Sequence, residues 1–406
     1  MRILLSAYAC EPDRGSEPGV GWGWACALAD AGHEVDVLTR TANRAAIEAE
    51  LAARPRPRLR FHWHDLSSTA RWLKRVGGGA GLRLYYIAWQ KSAVPVLRRI
   101  VAERRTELGH HVTFAQYWTP CALAAAGPPF IWGPVGGAES VPATFWPGLG
   151  ARAFLYEAAR ALLGGLSAWA GFTRSTARRC LLAVASTPET AVRLWALGAR
   201  RVLTVSQVAL GAATLEPLAA ASPAPCPPFR FIVLSDLLAH KGVHLALEVA
   251  ARLTGEWTLE VIGDGPCRRR LETQAGRLGI GRRVRFQGAL PHLQAMQRLT
   301  AGHALLFPAL HDSGGLAVAE AMAAGLPVVC LALGGPAGLV AEGTGLAVPA
   351  IDPATAVTGL AQAAQRLMDD PALWARLSAG ARAHALATFT WPARVAAVYG
   401  ALDLPR

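Results

Sequence analysis

The hydrophobic positions of the chain follow two alternating spacings. Short runs rich in leucine, valine and isoleucine predict buried strands, and stretches with apolar residues at i, i+3 and i+4 predict helices. The first unit is a strand over 2–10, a helix over 19–32 and a strand over 34–40. Strand, helix and strand in this order favour a parallel sheet covered by helices.

The same alternation continues through the first half of the chain. We predict further strands at 59–65, 110–114 and 129–133, with basic helices before the second of them. Residues 216–228, EPLAAASPAPCPP, are too rich in proline and alanine for a core element and are typical of an interdomain linker. The α/β pattern therefore stops here and begins again.

The second half repeats the pattern after this linker. Its predicted elements are strands over 229–235, 257–263, 284–288, 303–310 and 327–333, and helices over 242–253, 317–325 and 391–403. The sequence thus predicts two Rossmann-like α/β domains that face each other across a ligand cleft at the carboxyl ends of both sheets. The predicted boundaries are an N-terminal domain at 1–215, the linker at 216–228, a C-terminal domain at 229–385, and a terminal helix at 386–406 that packs back on the first domain.

Composition supports a two-domain globular protein. The chain has 406 residues, of which 52% are hydrophobic and 17% charged, and this balance excludes intrinsic disorder. The uncharged stretches 112–138 and 321–341 are interrupted by proline and glycine, and the apolar run at 3–10 is too short for an export signal. The seven cysteines are scattered without a C-x-x-C pair, so we expect a reducing compartment, no zinc site and a cytoplasmic protein.

Basic residues exceed acidic ones, giving a formal charge of +13. Residues 71–105 contain nine basic residues and one acid, interleaved with aromatic residues at Trp72, Tyr85, Tyr86 and Trp89. This pattern suits an anionic membrane surface or an anionic substrate, although the solvated faces of two arginine-rich helices would produce it equally well. Because no nucleic-acid-binding motif accompanies the charge, we expect no nucleic acid partner.

Several segments together carry a family resemblance. They are SAYACEPDRGSEPGVGWGWACALADAGHEVDVLTR (6–40), PFIWGPVGG (129–137), LSDLLAHKGVHLAL (234–247), VIGDGP (261–266) and HDSGGLAVAEAMAAGLPVV (311–329). They resemble family 4 retaining glycosyltransferases of the GT-B fold, which implies that the domain at 1–215 lies on the acceptor side and that the domain at 229–385 binds the nucleotide sugar. The resemblance implies transfer of a sugar from a nucleotide-diphosphate donor to a glycan or lipid-linked acceptor, with retention and without a metal or other cofactor. It also implies work at the inner face of a bacterial plasma membrane, in surface polysaccharide or glycolipid assembly.

The most informative stretch has an acid, Asp312, eight residues before a second acid, Glu320, with Gly314 and Gly315 between them. It resembles the Glu-x7-Glu element of the family, with aspartate first, and the resemblance places Leu316 with the two glycines among the donor-binding residues. Two glycines before a helix leave backbone N–H groups open to a diphosphate. Glu320 can then accept hydrogen bonds from a ribose, with Asp312 nearer the donor sugar. A surface acid and a helix-capping loop are the alternative.

Lys241 is one of only three lysines among 41 basic residues, so its presence after a predicted strand is not explained by general composition. In the resembling family an arginine and this lysine neutralise the departing pyrophosphate. Here Ser235 and Asp236 stand where the arginine is expected, and Asp236 would repel the leaving group. Another arginine then supplies the charge, the register is shifted, or turnover is weakened.

Three further groups complete the candidate site, and all are weaker signals. The resemblance places the loop Gly15, Ser16 and Glu17 near the diphosphate and the acceptor, and the turn Gly263, Asp264 and Gly265 near the nucleotide base. Tyr117 and Trp118 follow a predicted strand and are expected to face the acceptor. His62, His64 and Asp65 have side chains that can bind metals, but only the two histidines share one face of the predicted strand. Because these two lack a third close ligand, a structural role is favoured.

Two other functions fit the same fold. A nucleotide-sugar epimerase or a phosphorylase would need acid, base or cofactor-binding residues that the sequence does not display. A catalytically silent nucleotide-sugar-binding or scaffold protein is the other alternative, motivated by Asp236 and by Pro134-Val135-Gly136-Gly137, where many members of the family carry a histidine. No side chain is identified as a general base.

Overall fold

The structure is a computed structural model that describes residues 1–76, 78–167, 171–223 and 226–402. The chain divides into two units, each with its own sheet. Unit 1 comprises Met1–Ala138, Leu163–Gln207 and Trp391–Arg406, and unit 2 comprises Glu139–Leu162 and Val208–Thr390. Each unit therefore takes residues from separate parts of the chain.

Unit 1 is built on a seven-stranded sheet in the order β3-β2-β1-β4-β5-β6-β7, with every neighbouring pair parallel. Its strands are β1 (Arg2–Ala7), β2 (Glu34–Thr39), β3 (Leu59–Trp63), β4 (Leu108–Val112), β5 (Phe130–Val135), β6 (Leu182–Ala185) and β7 (Val202–Thr204). The central strands are almost fully buried, as expected when helices cover both faces of a parallel sheet.

Unit 2 is built on a six-stranded sheet in the order β10-β9-β8-β11-β12-β13, again with all neighbouring pairs parallel. Its strands are β8 (Phe229–Leu234), β9 (Trp257–Ile262), β10 (Val284–Gly288), β11 (Ala304–Phe307), β12 (Val328–Leu331) and β13 (Gly345–Val348). Parallel neighbours bring the carboxyl ends of β8 and β11 to one edge, from which the candidate site is built.

Helices connect the strands in both units. They are α1 (Ser16–Asp30), α2 (Arg44–Ala53), α3 (Ser68–Val76), α4 (Gly78–Arg104), α5 (Leu123–Ala126), α6 (Ala151–Ser167), α7 (Gly171–Arg179), α8 (Pro188–Ala196), α9 (Ala212–Ala219), α10 (Val243–Ala250), α11 (Arg268–Arg277), α12 (His292–Thr300), α13 (Leu316–Ala323), α14 (Gly334–Leu339), α15 (Pro353–Asp369), α16 (Pro371–Thr388) and α17 (Trp391–Tyr399). Short 3₁₀ turns lie at Thr41–Asn43, Ala143–Leu149 and Ala239–Lys241.

The prediction of two Rossmann-like α/β domains is confirmed, and the structure differs from the predicted boundaries at two places. The linker assigned to 216–228 begins inside α9, because Leu218 is buried in the apolar core of unit 2; Ala224 and Pro225 lie outside the described residues. The segment Glu139–Leu162 belongs to unit 2. There Thr144 Oγ1 donates to the Ile351 carbonyl at 2.8 Å, and Arg270 donates to the Gly148 carbonyl at 3.1 Å.

The last helix, α17, packs against α1 within unit 1. The indole of Trp24 is fully buried and lies 5.9 Å, between ring centroids, from that of Trp391. Gly23 permits this approach, because a Cβ at that position would lie 2.0 Å from two carbons of the Trp391 ring. The C-terminal helix is thus joined to the first helix of the chain through contacts of Trp24 with both Trp391 and Tyr399.

The structure bears on two expectations drawn from composition, those for membrane-spanning helices and for the cysteines. Among the described residues, we find no helix with both the length and the apolar character needed to cross a membrane. All seven cysteines are free thiols, and five of them are buried.

The packing of α17 on α1 yields the first prediction. Gly23→Ala should lower the free energy of unfolding by about 1–3 kcal/mol, because the new methyl group must displace the Trp391 ring. Urea unfolding followed by tryptophan fluorescence measures this change. Gly79→Ala, in α4 with no atom within 4 Å of the added carbon, is the matched control and should leave stability unchanged or slightly raised. Equal stability of the two variants would contradict the close approach.

Candidate functional site

Lys241 is positioned by a tight turn between β8 and α10. The turn ends at Gly242, which has φ +69° and begins α10. A side chain at Gly242 would place its Cβ 1.9 Å from the carbonyl oxygen of Pro308, just after β11. The Leu310 amide also donates to the His240 carbonyl at 2.8 Å. Glycine is therefore required for the Lys241 turn to pack on the chain that leaves β11 and continues to Asp312.

Lys241 and Asp312 form the central ion pair of the site. Lys241 Nζ donates to Asp312 Oδ2 at 2.7 Å, and Asp312 Oδ1 accepts from the backbone N–H groups of Gly314 and Gly315 at 2.9 and 3.0 Å. The two side chains are only 19% and 14% exposed. Burial by itself raises the pKa of Asp312, but Lys241 and the two amides outweigh burial and hold this pKa below its usual value. Asp312 is therefore a stable carboxylate.

These hydrogen bonds correct the expectation that Gly314 and Gly315 offer open N–H groups. Both amides are occupied by Asp312, whose side chain folds back over its own loop. Among the described residues, the amides without an acceptor at the start of α13 are those of Leu316 and Ala317. Any anion that binds the undisturbed loop therefore meets these two N–H groups and not the glycine amides.

Glu320 lies on α13 and is nearly fully buried. Its Oε1 accepts a hydrogen bond of 2.8 Å from Nε2 of His292, the first residue of α12. This hydrogen bond raises the pKa of His292, although partial burial opposes the shift. The sequence analysis did not identify His292, since its distance from Glu320 along the chain gives no sign of their contact.

A group of charged residues from the segment 139–162 surrounds the loop at Asp312. Ser313 Oγ donates to Glu139 Oε2 at 2.8 Å, Arg160 lies 3.4 Å from Glu157 Oε2, and Arg160 also donates to the Glu139 carbonyl. The imidazole of His311 lies 3.9 Å from Glu157 Oε1. Sequence reasoning missed this group, although Glu139 follows the glycine pair after β5 and Glu157 and Arg160 are one helical turn apart.

Burial keeps the two histidines beside the ion pair neutral. It lowers the pKa of His240 to about 4, with Lys241 adding to the shift, and that of His311 to about 3, with Arg160 adding to it. Their rings lie 5.5 Å apart between centroids. At neutral pH the positive charge beside Asp312 therefore comes from Lys241, while Arg160 acts on the two histidines.

The predicted turn of Gly263, Asp264 and Gly265 follows β9 and lies on the end of β8. The Leu237 amide donates to the Asp264 carbonyl at 2.9 Å. Asp264 Oδ1 accepts from the Gly265 amide at 2.7 Å and Oδ2 lies 3.3 Å from an Arg268 nitrogen, so its side chain caps and pairs locally. Asp236 is exposed next to this turn. Ser235 and Asp236 thus lie at the strand end, as expected, and neither belongs to the ion pair.

The candidate residues of unit 1 differ in exposure and in contacts. Gly15 and Ser16 are exposed where α1 begins, whereas Glu17 Oε2 accepts from the Phe114 amide at 2.7 Å. Burial raises the pKa of Glu17, and this hydrogen bond opposes the rise. Tyr117 is buried, with the Arg193 guanidinium 5.3 Å from its ring centroid, while Trp118 is half-buried. Glu17 and Tyr117 are thus held by contacts within unit 1, and their acceptor-side roles stay predictions.

The histidine cluster at 62–65 does not converge. His62 pairs with Asp36 at 2.8 Å, and His64 bonds to the Ser92 hydroxyl at 2.8 Å. Asp65 Oδ1 accepts from the Tyr85 hydroxyl at 2.8 Å. The three side chains thus have separate partners, in agreement with a structural role.

The suggestion that the aromatic residues of the basic segment 71–105 meet a membrane surface is wrong for three of the four, because these three are buried. Tyr85, Tyr86 and Trp89 are at most 5% exposed and belong to the core of unit 1, so they cannot lie in a lipid headgroup layer. Trp72 is 58% exposed. Gly77 lies outside the described residues. Most of the basic residues of the segment are exposed: Arg71, Arg75, Arg83, Lys91, Arg98, Arg99 and Arg105.

Lys241, Asp312 and Glu320 lie in the part of the chain that matches a known family. Residues 218–384 match the model for glycosyl transferases group 1. A stretch of 149 residues is 35% identical to 2-deoxystreptamine glucosyltransferase from Streptomyces kanamyceticus and covers 35% of this chain and 38% of that protein. A stretch of 199 residues is 32% identical to the lipopolysaccharide core biosynthesis glycosyltransferase LpsD from Rhizobium meliloti and covers 48% of this chain and 56% of that protein. The chain thus spans about half or less of these two relatives.

Solved structures match the whole chain at low sequence identity. The galactosyltransferase WaaB, described as a lipopolysaccharide outer core enzyme, superposes with a TM-score of 0.66 at 14% identity, covering 99% of this chain and 100% of that one. HepE from Anabaena, solved with UDP and glucose, superposes with a TM-score of 0.58 at 17% identity and the same coverage. These likenesses confirm the GT-B fold, and the family match supports a group 1 glycosyltransferase.

The Lys241–Asp312 pair yields the second prediction. In a double-mutant cycle with Lys241→Met and Asp312→Asn, urea unfolding at pH 7 should give a coupling energy of about 1–3 kcal/mol, because breaking a desolvated pair leaves one partner unpaired. Since the pKa of Asp312 is lowered in the folded state, this stabilisation is present above the unfolded pKa of about 3.9 and is lost as the pH falls through the folded value.

The exposed pair of Arg44 and Glu48 on α2, 2.7 Å apart, is the control for this cycle. Its coupling should not exceed about 0.5 kcal/mol, because solvent screens exposed pairs. The same small value for both cycles would show that Lys241 and Asp312 do not form a desolvated ion pair.

Proposed function

We propose that this chain is a family 4 retaining glycosyltransferase that moves a sugar from a nucleoside-diphosphate donor to a glycan or lipid-linked acceptor. The observation that carries the proposal is the Lys241–Asp312 ion pair just before α13, the helix that also bears Glu320. All three residues lie inside the segment that matches the family model. HepE was solved with UDP and glucose, which supports a nucleotide sugar as donor.

The contacts suggest a role for each group. The N–H groups of Leu316 and Ala317 at the start of α13 receive the donor diphosphate, as helix N-termini do for anions. Lys241 stabilises the negative charge that develops on the leaving phosphate. Glu320, held on one oxygen by His292, has its second oxygen for a ribose hydroxyl. Asp312 orients Lys241 and closes the loop around the sugar.

The departing phosphate serves as the base in this proposal. In a front-face reaction with retention, the phosphate oxygen released from the sugar accepts the proton of the attacking hydroxyl. The carbon–oxygen bond to the acceptor forms on the face from which the phosphate leaves. Such a step requires a positioned cation and no side-chain base. This agrees with the low pKa of both His240 and His311, because imidazoles with such a pKa are weak bases.

Arg160 takes the place of the phosphate-binding arginine that Ser235 and Asp236 do not provide. Its guanidinium bonds to the Glu139 carbonyl and lies 3.4 Å from Glu157 Oε2, and its charge acts on both His240 and His311 beside Lys241. We therefore assign the second positive charge of the site to the segment 139–162. Arg160 stabilises the phosphate through its field on this region.

A catalytically silent nucleotide-sugar-binding protein is the second candidate. Asp312 already neutralises Lys241, and both oxygens of Asp312 are satisfied by the protein itself. A bound donor that leaves the Lys241–Asp312 ion pair intact does not gain the charge of Lys241, and this arrangement favours binding without turnover. The two candidates differ in one measurable property, the release of nucleotide from a bound nucleotide sugar.

The third prediction separates these candidates. Release of nucleoside diphosphate from a panel of nucleotide sugars should be detectable for the native chain and reduced at least tenfold in Asp312→Ala, with less change in the affinity for free nucleotide. Glu320→Ala should instead weaken nucleotide binding by about 1.5–3 kcal/mol in calorimetry, the size of one charge-assisted hydrogen bond. Glu342→Ala, an exposed acid of unit 2, is the control.

The outcomes of this assay are distinct. Nucleotide binding without turnover of any donor would select the silent binding protein. Unchanged affinity in Glu320→Ala would remove that residue from the nucleotide site. No binding of any nucleotide by the native chain would reject both candidates.

The chain is further proposed to act in the cytoplasm, as a peripheral protein at the inner face of the plasma membrane in surface polysaccharide or glycolipid assembly. LpsD and WaaB are named for lipopolysaccharide, which supports this setting. The exposed arginines Arg71 and Arg75 on α3, beside the exposed Trp72, form the surface that would meet anionic lipid.

The fourth prediction concerns this surface. The native chain should co-sediment with anionic vesicles and not with neutral vesicles, and binding should fall as salt rises because the charges are screened over about 10 Å at 0.1 M. The Arg71→Gln, Arg75→Gln variant should lose about 2 kcal/mol of binding, at about 1 kcal/mol for each charge. Arg252→Gln and Arg269→Gln, on the surface of unit 2, are the charge-matched control. Equal sedimentation with both vesicles would indicate a soluble acceptor.

A further inference from the structure

A cluster of charged and aromatic residues lies at the carboxyl ends of three parallel strands in unit 1. Tyr8 follows β1, Arg40 follows β2 and Asp65 lies two residues after β3, while Lys74 and Tyr85 come from α3 and α4. We call these five residues the Tyr8 cluster. Ligands of open α/β sheets bind at the carboxyl ends of the strands. None of the five belongs to the candidate donor site of unit 2.

Two cations of the cluster lie on its aromatic rings. The Arg40 guanidinium carbon is 4.6 Å from the Tyr8 ring centroid, and Lys74 Nζ is 5.6 Å from the Tyr8 centroid and 5.1 Å from that of Tyr85. The Tyr8 ring is itself held edge-on by Tyr86, Trp89 and Phe114, with centroids 5.1–5.3 Å away. The rings are therefore fixed, and the cations occupy defined positions on them.

Neither cation forms a salt bridge with a carboxylate among the described residues, although Asp65 is near enough to act on the charge of Lys74. Arg40 donates to two neutral acceptors, the Tyr8 carbonyl at 3.0 Å and the Asn43 side chain at 3.3 Å. The carboxylate of the cluster, Asp65, accepts from the Tyr85 hydroxyl at 2.8 Å and forms no ion pair with Arg40 or Lys74 in the described part of the chain. Arg40 and Lys74 are nevertheless both half-buried. The charges thus have lost part of their water without gaining an ion pair.

Other polar atoms of the cluster are also unsatisfied. The buried Oδ2 of Asp65 has no hydrogen-bond partner among the described residues, and the buried hydroxyl of Tyr8 has none there except the adjacent Arg40 guanidinium. Burial, with Arg40 as the next cause, lowers the pKa of Lys74 to about 8. Buried polar atoms are ordinarily hydrogen-bonded, and unpaired ones in a native structure often mark a site for a missing group. A ligand with oxyanions and hydroxyls would satisfy the two cations, Tyr8 and Asp65 together.

We propose that the Tyr8 cluster binds an anionic group, a phosphate or a carboxylate, on the sugar acceptor. Arg40 and Lys74 contact the oxyanion, Asp65 Oδ2 accepts from a sugar hydroxyl, and the aromatic rings provide an apolar surface for the sugar. The name acceptor rests on the proposed function, whereas the anion site rests on the contacts of unit 1 alone. Structural cation–π contacts without a ligand are the alternative, and the two differ in how Lys74 responds to anions.

The test uses the low lysine content of the chain, which has lysine only at positions 74, 91 and 241. The full-length protein is labelled briefly with an amine-reactive ester at several pH values, and mass spectrometry of its peptides gives the labelling rate of each lysine. Lys74 should reach half of its maximal rate near pH 8, because only the neutral amine reacts. Exposed Lys91 is the internal reference in the same sample.

The probes are inorganic phosphate, glucuronate and glucose at constant ionic strength. Phosphate or glucuronate should slow the labelling of Lys74 saturably, because a bound anion covers the amine and raises its pKa, and glucose alone should not. Whichever of the two anions protects at lower concentration identifies the source as phosphate or carboxylate. The rate for Lys91 should stay constant throughout.

Two variants sharpen the result. Arg40→Gln should weaken the protection by about tenfold or more, since it removes one of two charges on the anion, and should raise the half-maximal pH of Lys74. Arg44→Gln, an arginine of α2 outside the cluster, should behave as the native chain, and circular dichroism verifies that both variants are folded. No saturable protection by either anion, or equal protection of Lys91, would overturn the proposal. Because no turnover is measured, protection in a chain that fails the donor assay would leave the anion site standing and reject the proposed function.

Discussion

The candidate site of unit 2 depends on one desolvated carboxylate, that of Asp312. Its two oxygens are shared between the Lys241 ammonium and the amides of Gly314 and Gly315, so one side chain connects the turn after β8 to the loop before α13. A buried ion pair is stable only when its remaining hydrogen-bonding positions are filled, and here the loop backbone fills them. The position of the α13 N-terminus, and with it that of Glu320, follows from this arrangement.

The same loop is anchored by residues remote in sequence. Ser313 donates to Glu139, and Arg160 bonds to the Glu139 carbonyl and to Glu157. These acids and this arginine come from the segment 139–162, which lies between two stretches of unit 1 in the chain but packs in unit 2. The ion pair is therefore surrounded by residues from both halves of the sequence. The charged groups of Glu139, Glu157 and Arg160 lie near it, although the motif around Asp312 does not contain them.

The basic character of the first half is divided between two surroundings. In 71–105 the large aromatic residues turn inward to the core of unit 1, and most arginines turn outward to water. Arg40 and Lys74 are the exception, because they lie on aromatic rings at the carboxyl edge of the sheet without a carboxylate partner. The excess of positive charge in the sequence thus has two locations in the fold. One is a surface of arginines in contact with water, and the other is the pair of partly desolvated cations, Arg40 and Lys74.

The sequence alone determined the two α/β domains and most of their strands, because hydrophobic periodicity is a local property. It did not reveal β6, β7 or β13. The spacing of polar residues singled out Lys241, Asp312 and Glu320 as candidate site residues. Strand ends were placed within a few residues, as for 284–288. Only the tertiary structure decided that Asp312 occupies the glycine amides, that His292 holds Glu320, that Glu139 and Arg160 join unit 2, and that Tyr85, Tyr86 and Trp89 are core residues. Each of these outcomes depends on contacts between residues distant in the chain, and on which face of a helix is buried, and neither follows from local spacing.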